Sequence, residues 1–145
     1  MNDDTRVDRV TQDMFAVLHG QETPLLTRWS YRSDDPYAVM MSISRPSGRW
    51  IDWLLSRDLL IEGLVGPAGI GDVRLMPFSD EFGDDRFDVL EVRIGDDEGF
   101  ASLEIDRDLV ESFLEATFDI VPAGAESAMI DVEAEIEKIT NSSTC

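Results

Sequence analysis

The chain has 145 residues, a length that suits one domain, and carries 31 acidic against 12 basic side chains for a formal net charge of −19. Hydrophobic residues make up 43% of it, enough for an ordinary globular core, and no apolar run approaches the roughly 18–20 residues that a membrane span requires. Its one cysteine, Cys145, excludes an internal disulfide or a cysteine-built zinc site, and an acidic, polar start without an apolar signal core argues for a cytoplasmic protein.

The charge is unevenly placed. Residues 1–23 carry a net of −3, residues 24–77 balance six Arg against six acids, and residues 78–145 set four bases against twenty acids. That bias opposes the phosphate contacts behind non-specific nucleic-acid binding, and it supplies solubility or the steering of a basic partner. With no linker or repeat in view, the expected organisation is a flexible acidic leader over 1–12, a single domain over 13–140 and a disordered tail over 141–145.

In chain order, short runs bounded by turn residues read as strands. Met14–Leu18 precedes Gly20; Leu25–Tyr31 ends at Ser33-Asp34-Asp35-Pro36; Tyr37–Ser44 alternates, with Val39, Met41 and Ile43 on one face. Arg45-Pro46-Ser47-Gly48 then turns the chain into Arg49–Leu55. Ser56 can cap a short helix with Asp58 in its first turn, and Gly63 is expected to stop it in a left-handed conformation. Gly66–Gly71 reads as a loop, followed by strands over Asp72–Phe78, Phe87–Ile94 and Phe100–Ile105.

Asp106 can cap a longer helix whose stripe is Leu109, Val110, Phe113, Leu114 and Ile120, ended by Pro122 and Gly124. Met129, Val132, Ile136 and Ile139 mark a second amphipathic helix. The expected fold is α+β: about seven mostly antiparallel strands in a curved sheet, sandwich or open barrel, with helices packed on them.

Candidate chemistry is thin. Asp108, Glu111, Glu115 and Asp119 line one helix face, where like charges repel by about 0.2–0.5 kcal/mol per pair; a solvated face fits better than a carboxylate pair held in a cleft. The acids of Asp80–Asp88 lack calcium-loop spacing and no bidentate Glu closes such a loop. Gly66–Gly71 follows a helix and opens a strand, the reverse of a phosphate loop, and brings no Lys-Ser/Thr pair. His19 is alone beside Gly20 with no nucleophile, so neither catalysis, a metal nor a cofactor is expected.

Trp29, Trp50 and Trp53 lie near Arg28, Arg32, Arg45 and Arg49, the best case for nucleic-acid stacking, though acids balance every Arg there. Trp50 and Trp53, three apart in a strand, should face opposite ways, leaving one of them for an interface. Arg57 and Arg74 flank the Gly-rich loop, where pairing with Asp58, Glu62 and Asp72 is the default reading. The weak candidates for partner binding are Trp50, Arg57 and Arg74.

The block Trp53-Leu54-Leu55-Ser56-Arg57-Asp58-Leu59-Leu60-Ile61-Glu62-Gly63-Leu64, followed by Pro67-Ala68-Gly69-Ile70-Gly71-Asp72-Val73-Arg74, resembles a signature of the SsgA-like proteins of sporulating actinobacteria. Asp35–Val39, Gly99–Leu103, Phe113–Thr117 and Val121–Glu126 resemble further family segments, in order, over about residues 13–139. The resemblance implies a whirly-like fold, a trimeric assembly and a non-enzymatic role in sporulation septation through protein contacts. The implied partners are the tubulin-like protein FtsZ or another SsgA-like protein, met at division septa without membrane insertion. Two rivals stand beside it: a single-stranded nucleic-acid binder of whirly-like fold, and a module whose acidic C-terminal half recruits a basic partner.

Overall fold

The computed structural model of the chain describes residues 7–78, 88–96 and 98–129. Four strands come first: β1 (Arg9–Leu18), β2 (Leu25–Arg32), β3 (Ala38–Ser44) and β4 (Trp50–Ser56). Helix α1 (Arg57–Val65) leads to β5 (Ala68–Ile70), β6 (Val73–Phe78), β7 (Val89–Asp96) and β8 (Gly99–Asp106). Helix α2 (Arg107–Ile120) and a 3-10 turn (Glu126–Met129) follow. All eight strands form one antiparallel sheet in the order β4-β3-β2-β1-β8-β7-β6-β5, curled into a half-barrel around the helices.

Period-two alternation decides which side chains face the helices. Met14 and Ala16 of β1, Trp29 and Tyr31 of β2, Val39 and Met41 of β3, and Leu103 and Ile105 of β8 are all buried on the inner face. Phe113 of α2 drops onto Trp29, ring centroids 6.0 Å apart and planes at 62°, an edge-on contact. The Trp29 Nε1–H donates to Thr27 Oγ1 at 2.9 Å, and that hydroxyl donates to the Met14 carbonyl at 2.7 Å. The indole is thus buried without an orphaned donor.

Both helix starts are locally encoded. Ser56 Oγ accepts from the Leu59 N–H, and an Asp106 carboxylate oxygen accepts from the Asp108 N–H. The end of α1 differs from expectation. Gly63 lies inside the helix with no positive φ, and Gly66 follows the helix with extended backbone. Gly63 serves packing instead: a Cβ there would sit 2.7 Å from Leu75 Cβ and Cδ1, so α1 rests on β6 at the one point where a side chain cannot fit. At the end of α2, Val121 is the cap, Pro122 follows and Gly124 turns with φ +84°.

Three further differences have physical causes. β1 begins at Arg9, taking residues 9–12 from the expected leader; polar Gln12 occupies an inward-side position there and breaks the apolar alternation. An eighth strand, β5, arises where Gly and Pro suggested only a loop; its Ala68–Ile70 pairs with β6 around a turn at Gly71, φ +60°. Leu109 points to solvent, 40% exposed, at the edge of the α2 stripe. The expected helix through Val132, Ile136 and Ile139, and the acidic segment up to residue 87, lie outside the described residues.

Candidate functional site

Arg57 is the first residue of α1 and is fully buried. Its Nη1 donates to the Val121 carbonyl at 2.7 Å and to that of Thr117 at 3.4 Å; its Nη2 donates to Glu126 Oε2 at 2.7 Å. The guanidinium carbon lies 5.0 Å from the Tyr31 ring centroid and 4.9 Å from that of Phe118. Such desolvated cation–π contacts and charge-assisted hydrogen bonds offset the cost of burying the charge. Arg57 holds the Glu126 carboxyl below the usual glutamate range, and burial pushes the Tyr31 phenol up.

Arg107, the first residue of α2, makes the mirror contact: its Nη2 donates to the Leu64 carbonyl at 2.7 Å, and Asp88 and Glu111 lie at 3.5 and 3.9 Å. Each helix therefore begins with an arginine that reaches the carbonyl end of the other, and the two helices run antiparallel. Neither helix has a basic residue in its own last turn, so each partner supplies the positive charge that a helix C-terminus favours.

The expected pairing of Arg57 with Asp58 or Glu62 is thus replaced by Glu126, 69 residues away. Arg74 is exposed and forms no ion pair among the described residues. It stands opposite Arg93 across β6 and β7, where Arg93 covers the Phe100 ring at 4.3 Å. Beside them lies a shallow hollow of about 540 Å³ lined by Pro67, Gly69, Arg74, Met76, Phe78, Glu91 and Arg93.

Trp50 and Trp53 do face opposite ways: Trp50 is exposed on the outer face, Trp53 is half-buried against the core, and Trp29 is wholly inside. Arg28 covers Trp50 at 5.2 Å and is held there by Asp13, with bonds of 2.8 and 3.2 Å. On α2, Asp108, Glu115 and Asp119 are exposed and Glu111 is half-buried near Arg107. His19 is exposed at a strand end, its backbone N–H donating to the Ser102 carbonyl. No cluster of three metal-ligating side chains occurs among the described residues, and no helix there is long and apolar enough to cross a membrane.

A half-barrel sheet closed by two antiparallel helices, with arginine–aromatic pairs on its outer surface, defines an α+β protein whose distinctive exposed chemistry lies on the sheet. The chain belongs to the SsgA family: residues 25–126 match the family described as Streptomyces sporulation and cell division protein, SsgA. That span starts with β2 and ends at Glu126, so it includes both members of the buried ion pair.

Among its relatives, the sporulation-specific cell division protein SsgB of Kineococcus radiotolerans is 35% identical over 137 residues, 94% of this chain and 81% of that protein. SsgB of Streptomyces coelicolor is 38% identical over 109 residues, 75% of this chain and 77% of that protein. A solved SsgB structure, from work on longitudinal cell division during sporulation of S. coelicolor, superposes with a TM-score of 0.76 at 31% identity, covering 86% of this chain and 97% of that one. The SsgA-like sporulation-specific cell division protein of Thermobifida fusca superposes at 0.79 and 29% identity, covering 90% and 95%.

Proposed function

We propose that this chain is a non-enzymatic regulator of sporulation-specific cell division. It acts through protein contacts that help place or activate septa, by recruiting FtsZ or by guiding later remodelling of the septal wall. One observation carries the reading: residues 25–126 match the family, and 86% of the chain superposes on a solved SsgB structure. On this reading the protein is cytoplasmic, gathers at septa and works as a homotrimer, with FtsZ or another SsgA-like protein as partner. Repeated surfaces on such an oligomer would turn weak contacts into avidity.

Of the three candidate contact residues, Trp50 and Arg74 are exposed and fit a direct role. Arg57, being buried, fits the role of holding α1 and α2 in place behind such a surface. The test is live imaging of a functional fluorescent fusion beside labelled FtsZ in a sporulating actinobacterium. Ladders coincident with future septa are expected; diffuse signal in cells that septate normally would overturn the reading.

A second reading, binding of single-stranded nucleic acid, draws on the exposed pairs Arg28–Trp50 and Arg93–Phe100. The Asp13 carboxylate on Arg28 weakens it. Anisotropy with short labelled DNA at low salt decides: binding that falls steeply with salt supports it, and no signal at high micromolar protein removes it.

A further inference from the structure

An open sheet has two edges, and this one treats them differently. At one end β5 is three residues long, preceded by Pro67 and followed by the Gly71 turn, a blunted edge. At the other end β4 runs seven residues, Trp50-Ile51-Asp52-Trp53-Leu54-Leu55-Ser56, with no Pro, Gly or Lys. Asp52 is the one charged side chain along that edge, so it alone restricts which strand can pair there.

The register shows which backbone groups β4 leaves open. Arg45 N–H donates to the Arg49 carbonyl at 2.8 Å, and Arg57 N–H donates to the Tyr37 carbonyl at 2.8 Å. Both bonds join odd-numbered residues, and between them Ile51 faces Ile43, Trp53 faces Met41 and Leu55 faces Val39. In an antiparallel ladder the alternate residues turn their N–H and C=O groups the other way. Trp50, Asp52 and Leu54 therefore present their backbone polar groups at the free edge. Their side chains share the outer face, with Trp50 43% and Leu54 61% exposed.

The inner side of the same edge is also unfinished. Ile51 and Trp53 are only half-buried, and they border an apolar cleft of about 210 Å³ shared with Ile43, Ile94, Ala101 and Leu103. A strand laid along β4 would satisfy the free backbone groups and direct its alternate side chains over this cleft.

We infer that the free edge of β4 binds an extended segment of a partner protein as an added strand, with a basic side chain opposite Asp52 and apolar side chains two residues to either side. The charge selects this occupant. Asp52 makes no ion pair among the described residues, so an Arg or Lys beside it gains an opposite-charge cross-strand contact. A two-fold pairing of β4 with β4 of another copy is disfavoured: the antiparallel register that sets Trp50 against Leu54 also sets Asp52 against Asp52. This deepens the docking reading above, which it presupposes, but it is scored without any division phenotype.

The probe is the capped peptide Lys-Thr-Leu-Val-Arg-Val-Leu-Thr-Lys carrying a fluorophore, titrated with the full chain by anisotropy. Saturable binding is expected, roughly tenfold weaker when the central Arg becomes Glu, the weight of one charge-assisted contact. Methylating the backbone nitrogens of Leu, Arg and Leu, which face β4 when the peptide pairs antiparallel with Arg opposite Asp52, should abolish binding, whereas methylating the two Val nitrogens should leave it. Asp52→Arg should reverse the preference in favour of the Glu peptide, and Leu54→Pro, checked for native circular dichroism, should weaken both.

Absence of binding at high micromolar protein, or equal binding of the two methylated peptides, would overturn the inference. So would sedimentation showing an oligomer that Leu54→Pro dissociates, since the edge would then be filled by a second copy. A protein that marks septa yet ignores the peptide loses this edge alone; one that binds the peptide but never marks septa loses the septation role alone.

Discussion

Arg57 and Arg107 divide one task between them, and their burial ranks their importance. Arg57 is enclosed, and removing it strands the Glu126 carboxylate with two helix-end carbonyls; Arg57→Ala should cost about 3–5 kcal/mol in urea unfolding. Arg107 is partly solvated, so Arg107→Ala should cost less, about 1–2 kcal/mol. Because Arg57 depresses the Glu126 titration, the pair contributes full stability above the ordinary glutamate range and loses it as pH falls through the lower folded-state value. The melting temperature should therefore drop on acidification below that range, and Glu126→Gln should be less stable at neutral pH with a shallower acid slope. Gly63→Ala should cost about 1–3 kcal/mol, because the methyl group must displace Leu75 or lift α1 from β6. Sequence spacing revealed the caps at Ser56 and Asp106, whose partners lie two or three residues away. It could not reveal Glu126 as the partner of Arg57, since only the folded sheet brings the two together.

For the strands, alternation was legible wherever the outer face is polar and the inner face aliphatic, as in Val39, Met41 and Ile43. It faded in β1, where exposed Phe15 and Val17 blur the pattern, and in β5, where Gly and Pro mask a three-residue pairing. The α2 stripe is a similar mixture: Phe113 is buried on Trp29, whereas Leu109 lies at the stripe's wet margin, its carbonyl accepting from Gln12 Nε2 at 3.1 Å. Chemical denaturation should separate them, with Phe113→Ala costing about 3–5 kcal/mol and Leu109→Gln staying within about 0.5. The Trp50/Trp53 split was legible because three positions along a strand reverse a side chain. The open edge was not, since an edge is a property of sheet order and no residue pattern announces it.

At the scale of the molecule, the sheet is two four-stranded meanders, β1–β4 and β5–β8, joined in the middle by β1 and β8. The join is short, pairing only Ala16 with Ile105, Val17 with Glu104 and Leu18 with Leu103. It links a residue near the start of the chain to one far along it, whereas most other strand neighbours are joined by brief turns. During synthesis the first meander can assemble as soon as it leaves the ribosome, but β1 must then wait as an open border until β8 has been made. Contacts between such distant residues close slowly, and an unpaired strand exposed meanwhile invites wrong partners. The pairing of Leu18 with Leu103 spans most of the chain, so β1 of a nascent chain stays an open border at least until β8 has been made.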